Sequence, residues 1–408
     1  MVNIVEEYIA KVRSRIFKDE SKLSIEYVPP KLPHREEQLK RLVSYFINFV
    51  ENPGSCFPKV IEVGDIGTGK TVCAKKFGQD VTDYAKKVGK PIKYVHVNCY
   101  KCRTLFLILQ EVASQLQLPV PKRGFSTQEL LKIILDLLVD KNLYVIITLD
   151  EVDSLLQTPG GEGALYTLVR VTDEYLGREH RIGLILISRD ENFIFKLDPS
   201  VRSALQHNVI KFPPYTKAQI YDILHDRAEE AFIEGVVRPE ILDMIAEISG
   251  KDTGGRGDAR YAIEILWRAG KIAEVEGTSV ILPDHVRKAV KDTLVSISVE
   301  ELKSLKKHQL LLLLAVVRVL QRKRTEVKVP LSEVEAEYRM LCEEFGEKPR
   351  QHTQVWEYVQ ELKSRGILNA TVGSKYSRGR TTLVGIMHEP LGTLEKTILA
   401  VLRGGDHG

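Results

Sequence analysis

The stretch Lys59-Val-Ile-Glu-Val-Gly64-Asp-Ile-Gly-Thr-Gly-Lys70-Thr71 decides the fold of the first half of this chain. Its first five residues predict a short buried strand, and the residues after them have the spacing G-x-x-x-x-G-K-[ST] of a phosphate-binding loop. An amphipathic helix is predicted directly afterwards, over residues 72–88. Glycines let the loop backbone curl so that its N–H groups surround phosphates, and the helix N-terminus favours the same anions. The predicted nucleotide-binding residues of this loop are Gly64, Gly67, Thr68, Gly69, Lys70 and Thr71.

An acidic pair at the end of a second apolar run completes the predicted site. Tyr144-Val-Ile-Ile-Thr-Leu-Asp150-Glu151 is typical of a parallel strand buried on both faces, and ligands bind at the carboxyl ends of such strands. We expect Lys70 to reach the β- and γ-phosphates, Thr71 and Asp150 to hold Mg²⁺, and Glu151 to polarise the attacking water. A solvated acidic loop is the alternative, but the order and spacing relative to the phosphate-binding loop argue against it.

Two more strands and an intervening helix extend this pattern. Strands are predicted at Ile92–Val97 and Ile182–Ser188, and a helix is predicted over Gly163–Leu176. Strands separated by helices form a parallel sheet that is covered on both faces. The sequence therefore predicts an α/β nucleoside-triphosphatase fold, followed by a segment, Thr216 to about Leu294, that is predicted to be all helical.

Beyond residue 298 the alternation of strands and helices ends. Helices are predicted over residues 302–320, 331–345 and 351–365, and strands over 367–372 and 381–386, around the turn Gly373-Ser-Lys-Tyr-Ser-Arg-Gly-Arg380. Three helices followed by a basic hairpin predict a winged helix, a DNA-binding module.

Basic side chains concentrate in this C-terminal module. Between residues 347 and 380, Lys348, Arg350, Lys363, Arg365, Lys375, Arg378 and Arg380 are opposed only by Glu347, Glu357 and Glu361. Cations spaced by glycine and serine suit contacts to the DNA backbone or the minor groove. Gln351, Thr353, Gln354 and Tyr358 lie where side chains of the third helix could reach base edges. A solvated charged face is the alternative for the helix. The candidate DNA-binding residues of the module are Arg350, Gln354, Lys363, Lys375, Arg378 and Arg380.

Length and composition narrow the class of protein. A chain of 408 residues predicts two or three domains, and neither a secretory signal nor an apolar run of about 18 residues is present in the sequence. Five scattered cysteines suit a reducing cytoplasm, and the pair Cys99 and Cys102 lacks the partners that a zinc site needs. The net charge of +4 does not by itself establish a nucleic-acid partner. We therefore expect a cytoplasmic protein without membrane segments, and the predicted DNA-binding module would associate it with the nucleoid.

From about Tyr27 to about Met387 the chain resembles AAA+ proteins, specifically the archaeal origin-recognition and cell-division-control family of replication initiators. Besides the phosphate-binding loop, three segments carry the resemblance. Tyr27-Val-Pro-Pro-Lys-Leu-Pro-His-Arg35-Glu36 is similar to the family's segment that cradles the base. Phe212-Pro-Pro-Tyr215, with Arg227 twelve residues later, resembles the adenine-side junction of base and lid. Gly257-Asp-Ala-Arg260 resembles the sensor-2 motif, whose arginine reaches the γ-phosphate.

The resemblance implies domains, ligands and partners. The implied domains are an N-terminal extension (1–26), an AAA+ base (27–215), a helical lid (216–297) and a winged helix (298–408). The implied ligands are ATP or ADP with Mg²⁺, and the implied partners are double-stranded origin DNA, an MCM-type replicative helicase and other initiator paralogues. Gln157-Thr-Pro-Gly-Gly-Glu-Gly-Ala-Leu-Tyr166, continuing to Arg170, falls where the family carries an insertion that touches DNA, although a simple connector is the alternative.

Two departures from the family pattern affect hydrolysis. Ile187-Ser-Arg189-Asp190 has arginine where the sensor-1 position usually carries asparagine. In Leu197-Asp-Pro-Ser-Val-Arg202, Ser200 stands where an arginine finger is expected, so Arg202 serves instead or the finger is missing. The sequence therefore predicts ATP binding with slow hydrolysis as a switch.

Two other classes of protein share parts of this pattern. A signalling P-loop ATPase joined to a winged helix would be a transcription regulator, but Gly257–Arg260 and Tyr27–Glu36 favour an initiator. A clamp-loader-like ATPase would have no DNA-reading module of its own, and the basic C-terminal hairpin argues against it.

Overall fold

In the computed structural model the described residues are 15–121, 123–171, 179–205, 207–291, 302–364, 367–373, 381–386 and 390–404. They form two units. The base unit comprises Glu26–Gln219 and Arg256–Arg260, and the C-terminal unit comprises the other described residues. The chain thus passes through the base unit twice.

A parallel sheet forms the centre of the base unit. Its strands are β1 (Lys59–Val63), β2 (Ile92–Asn98), β3 (Tyr144–Asp150), β4 (Ile182–Ser188) and β5 (Val209–Lys211), in the spatial order β2-β3-β4-β1-β5. All neighbouring strands pair in parallel. Every residue of β3 and β4 is buried, as expected for apolar strands with helices on both faces. The predicted α/β fold is confirmed, and β5 is an addition too short to show a sequence pattern.

Helices cover both faces of this sheet. They are α1 (Glu36–Glu51), α2 (Lys70–Lys87), α3 (Leu105–Gln115), α4 (Thr127–Asp140), α5 (Asp153–Leu156), α6 (Gly161–Val169) and α7 (Pro199–Leu205). Phe46 of α1 and Phe77 of α2 pack in one core, whereas Ile108 of α3 and Ile134 of α4 pack in the other. Helix α6 overlaps the predicted helix over Gly163–Leu176 but begins two residues earlier, and residues 172–176 of that prediction lie outside the described residues.

The C-terminal unit contains a helical lid. Its helices are α8 (Lys217–Ala231), α9 (Pro239–Ser249), α10 (Ala259–Val275) and α11 (Pro283–Lys291), although Lys217–Gln219 and Ala259–Arg260 are counted in the base unit. The N-terminal segment packs on this lid, with the ring of Phe17 centred 4.9 Å from that of Phe232. Gly270 makes room for this contact, because a Cβ there would lie 2.6 Å from Cζ of Phe17.

The predicted winged helix is confirmed, with two additions. Helices α12 (Lys307–Arg322), α13 (Leu331–Glu344) and α14 (His352–Ser364) precede an antiparallel sheet of β6 (Lys328–Pro330), β7 (Asn369–Gly373) and β8 (Thr381–Gly385), in the order β6-β8-β7. Strand β6 and a last helix, α15 (Leu391–Gly404), were not predicted.

The predicted start of the first winged-helix helix at Leu302 is wrong. Lys306 has an extended backbone (ψ 150°), and its N–H donates to Oε1 of Gln309 at 3.0 Å. This contact between the residue before the helix and a glutamine three positions later satisfies a donor that would otherwise lack a helical partner. Helix α12 therefore begins at Lys307.

Partly or fully buried polar contacts join the lid to the winged helix within the C-terminal unit. Nζ of Lys328 and Nδ2 of Asn369 donate to the Glu247 carboxylate at 3.2 and 2.6 Å. Nε of Arg287, on α11, donates to the carbonyl of Ile386 at 2.7 Å, and burial lowers the pKa of this arginine to about 10. Removing either partner would leave buried polar groups unsatisfied, so the lid and the winged helix depend on each other for stability.

No helix in the described ranges combines the length and the apolar character that crossing a membrane requires.

Candidate nucleotide-binding site

Glycines shape the phosphate-binding loop between β1 and α2. Gly67 and Gly69 have φ angles of +72° and +93°, which side-chain-bearing residues rarely adopt. An added Cβ would also collide with neighbours, at 1.7 Å from Oδ1 of Asp258 for Gly67 and at 2.6 Å from the Tyr215 hydroxyl for Gly69. The loop is therefore closely packed by the segments that carry Tyr215 and Asp258.

Lys70 lies at the first position of α2, inside the curl of the loop. Its side chain is buried, and Nζ donates to the carbonyls of Gly64 at 2.6 Å and of Asp65 at 2.7 Å. Burial lowers the pKa of Lys70, whereas the nearby carboxylate of Asp150 acts in the opposite direction. The ammonium group thus lies where a phosphate bound by the loop would meet it.

Thr71 and Asp150 are brought together as the sequence predicts. The Thr71 hydroxyl donates to Oδ2 of Asp150 at 2.8 Å, and Nε2 of His96, on β2, lies 3.2 Å from the same oxygen. Burial acts to raise the pKa of Asp150, but its hydrogen bonds with His96 and Thr71 and the neighbouring charge outweigh burial and lower it. A hydroxyl and an ionised carboxylate are hard oxygen donors, and magnesium bound to nucleotide phosphates needs only one or two such protein ligands. The residues therefore fit Mg²⁺.

Glu151 follows Asp150 and has an unusual backbone. Its φ of +57° lies in the left-handed region, and its N–H donates to Oδ1 of Asp150 at 2.9 Å. Its carboxylate forms an ion pair with the guanidinium of Arg189, at the end of β4. The sequence did not predict this pair, because the two residues are 38 positions apart.

Arg35 is a buried residue that contacts both the phosphate-binding loop and the segment Pro213–Tyr215. It is 2% exposed, its Nε donates to the Thr68 carbonyl at 2.8 Å, and its Nη2 donates to the Pro213 carbonyl at 2.6 Å. The guanidinium carbon lies 3.8 Å from the centre of the Tyr215 ring. Arg35 and Tyr215 therefore pack against the phosphate-binding loop. Contact of either residue with the base of a nucleotide stays a prediction.

The predicted sensor-2 segment meets the same loop. The Ala259 N–H donates to the carbonyl of Gly67 at 3.1 Å, and the Tyr215 N–H donates to the carbonyl of Gly257 at 3.1 Å. Arg260 follows on α10 with an exposed side chain. Asp258, whose carboxylate fills the space beside Gly67, is a site residue that the sequence did not predict, although it lies inside the motif Gly257–Arg260.

Other predicted residues lie elsewhere. Arg227, on α8 in the C-terminal unit, is buried, and its Nη1 donates to the Lys22 carbonyl at 3.1 Å. Arg202 lies on α7, and the guanidinium of Arg170, the residue after α6, lies 5.6 Å from the Tyr166 ring centre. Roles for these residues in binding nucleotide or DNA stay predictions.

The winged helix presents part of the predicted DNA-binding set. Arg350 and Gln354 are exposed, and Nζ of Lys363 donates to the Ala370 carbonyl at 2.9 Å. Tyr358, expected near base edges, is instead buried in the module's core at 7% exposure, because it faces α12 and α13 with the apolar residues of α14. Lys375, Arg378 and Arg380 lie outside the described residues.

Glu62, on β1 below the loop, is a buried carboxyl group that the sequence did not single out. It is fully buried, and neither carboxyl oxygen has a hydrogen-bond partner among the described residues. Burial, and to a lesser degree the charge of Asp150, raises the pKa of Glu62 well above its ordinary value. As the pH rises past that ordinary value, the unfolded chain ionises at Glu62 while the folded chain keeps its proton, so stability falls.

We therefore expect Glu62→Gln to be more stable than the parent chain at pH 8, because glutamine is neutral and takes up no proton when the chain folds. The gain should be smaller at pH 5, where less of the unfolded parent is ionised. Urea denaturation at both pH values measures the difference. Glu37→Gln, which removes an exposed carboxylate of α1, is the control and should show no such pH dependence. Equal gains at the two pH values would contradict the assignment of a protonated Glu62.

A phosphate-binding loop at the carboxyl edge of a parallel sheet, together with a helical lid and a winged helix, defines a nucleotide-binding protein of the AAA+ class. Three family models match the chain: an AAA domain at residues 60–192, a Cdc6 AAA+ ATPase-type lid domain at 221–291 and a CDC6 C-terminal winged helix domain at 300–396. An ORC1-type DNA replication protein 2 from Sulfurisphaera tokodaii is 42% identical over 91% of this chain and 90% of its own. The chain belongs to the ORC1/Cdc6 family of DNA replication initiators.

Solved structures agree with this assignment. Cdc6p from Pyrobaculum aerophilum superposes with a TM-score of 0.84 at 37% identity, covering 96% of this chain and 99% of that one. The Aeropyrum pernix ORC1 protein in complex with DNA superposes with a TM-score of 0.62 at 28% identity, covering 97% and 98%.

Proposed function

We propose that this chain is an ATP-controlled initiator that recognises origin duplex DNA and helps to load the replicative helicase. One observation carries the proposal. Helix α10 begins in the base unit, where the Ala259 N–H donates to the carbonyl of Gly67, and the rest of the same helix belongs to the unit that contains the winged helix. A change at the phosphate-binding loop therefore acts on the first turn of a helix that continues into the DNA-binding unit.

The nucleotide is ATP or ADP with Mg²⁺. Lys70 and the loop N–H groups would hold the phosphates and Thr71 and Asp150 would hold the metal, which when bound would supply positive charge to the phosphoryl oxygens. Arg260 directly follows Ala259, whose N–H donates to the Gly67 carbonyl of the loop. Its guanidinium would therefore be close enough to contact the γ-phosphate of a bound ATP. Such a contact, made with ATP and lost with ADP, is what a nucleotide switch requires.

Duplex DNA is the partner of the winged helix. Arg350, two residues before α14, and Gln354, in its first turn, are exposed, and the basic hairpin follows this third helix of the module in the sequence. The related Aeropyrum pernix protein was solved with DNA, which supports the same ligand for this chain. Arg170, beside α6, supplies a second contact. The phosphate contacts give affinity, and Gln354 gives sequence preference if it meets a base edge.

An MCM-type helicase and other initiator paralogues are the protein partners that membership of this family supports. The site of action is then the nucleoid. A transcription regulator with the same domains is not favoured by the family assignment.

Genome-wide footprinting in the source organism tests the proposal. We expect protection at few sites that coincide with the start points of replication, and Gln354→Ala should change the sequence preference of these footprints. Protection confined to promoters, with no site at a replication start point, would refute the proposal.

A further inference from the structure

Glu151, the residue that we expect to activate the attacking water, forms an ion pair with Arg189. Arg189 stands at the sensor-1 position, where the family usually has asparagine, and its guanidinium contacts the Glu151 carboxylate directly. An asparagine could not form an ion pair there. The contact is therefore a property of this chain's own residue.

Backbone and side-chain contacts fix both partners. The Val152 N–H donates to the carbonyl of Ile187 at 3.0 Å, which ties the residue after Glu151 to β4. The Asp153 carboxylate accepts from the Ser188 hydroxyl at 2.6 Å and from the Arg189 N–H at 2.8 Å. The two residues after Glu151 are thus joined to the end of β4, next to the left-handed backbone of Glu151.

The pair changes what the Glu151 carboxylate can do. The carboxylate is oriented towards the Arg189 guanidinium, whereas a general base must lie within hydrogen-bond reach of the water whose proton it takes. The Arg189 and Glu151 side chains are 50% and 23% exposed, so the pair is partly solvated and can open at modest cost.

We propose that Arg189 is a positioning residue that holds Glu151 away from the attacking water and so keeps bound ATP intact until the pair opens. The step concerned is hydrolysis: the water oxygen bonds to the γ-phosphorus and the bond to the β,γ-bridging oxygen breaks. The electron pair of that bond stays on ADP, and a proton of the water passes to Glu151. The inference rests on the proposed ATP switch and adds the residue that slows it.

Single-turnover hydrolysis of Mg²⁺-ATP by the full-length chain tests the inference. Arg189→Asn should hydrolyse bound ATP roughly fivefold faster than the parent, which corresponds to the loss of one half-exposed ion pair. Arg189→Lys can keep a single ion pair and should fall between the two. In the Glu151→Gln background the same Asn substitution should give no acceleration, a dependence that a merely structural role of Arg189 would not show.

Lys196→Asn is the matched control for lost charge. Lys196 follows on the same segment, is 65% exposed and pairs with Asp190, so its removal takes away a cation without touching Glu151. We expect no acceleration from this variant, and ADP affinity close to the parent's in both Asn variants.

Nucleotide affinities, measured by titration with a fluorescent ATP analogue, separate the outcomes. If Arg189→Asn binds ATP but hydrolyses it no faster than the parent, the inference is overturned and the proposed function stands. If it hydrolyses ATP more slowly and binds ATP less tightly with ADP affinity unchanged, Arg189 is a phosphate ligand and the inference is again overturned. A parent chain that binds no ATP would overturn both.

Discussion

Lys70→Ala is expected to weaken ATP binding by roughly 100-fold, the effect of losing charge-assisted hydrogen bonds to a phosphate. Nζ of Lys70 already lies within the curl of the loop, held by the carbonyls of Gly64 and Asp65, so its removal deletes the cation without changing the loop's glycines. Isothermal titration calorimetry with Mg²⁺-ATP gives the affinity.

Lys86→Ala is the control for this measurement. Lys86 lies in the last turn of the same helix, α2, with a side chain that is 68% exposed, and it should leave ATP affinity unchanged. Thermal unfolding of both variants would show that the fold persists. An unchanged ATP affinity in Lys70→Ala would remove the nucleotide site from the phosphate-binding loop.

The double substitution Arg378→Ala with Arg380→Ala is expected to lower affinity for every duplex by roughly tenfold or more, since hydrogen bonds to charged groups are lost. The dependence of log K on log salt should become shallower by about 2, because each phosphate contact releases close to one counterion. Fluorescence-anisotropy titrations of origin and unrelated duplexes at several salt concentrations measure both quantities.

Lys86→Ala with Lys87→Ala removes the same net charge from exposed positions of α2 and serves as the control. If the wing variant and this control show equal salt slopes, the basic hairpin does not neutralise phosphates and the winged helix serves another partner.

Point substitutions are preferable to deletion of residues 298–408. Deletion would strip Glu247 and Arg287 of their partners in the winged helix and so destabilise the lid.

Local sequence patterns determined the class of fold and the nucleotide site. The loop Gly64–Thr71 and the acidic end of β3 are each set by a few consecutive residues, and both apolar strands must be parallel because helices separate them. The pairing of Thr71 with Asp150 follows, since both lie at the carboxyl edge of the sheet. The winged helix was also predictable, because its helices have clear apolar faces and its hairpin has a glycine-rich turn.

Short elements escaped prediction because they are defined by their partners. Strand β5 and strand β6 have three residues each, too few for a periodic pattern, and they become strands only by pairing with β1 and β8. Tyr358 was assigned to the wrong side of its helix, because an aromatic residue with a hydroxyl suits both a surface and a core.

The tertiary structure alone decided how the charged residues are used. Arg35 meets the Thr68 carbonyl across 33 positions of sequence, and Arg287 meets the Ile386 carbonyl across 99. Arg189 meets Glu151 only because β3 and β4 lie side by side with their ends joined through Asp153. A guanidinium can pair with any carboxylate or carbonyl that the fold brings near it, so sequence spacing carries no information about its partner. The sequence therefore determined the phosphate-binding loop and the acidic end of β3, and packing decided which charges face them.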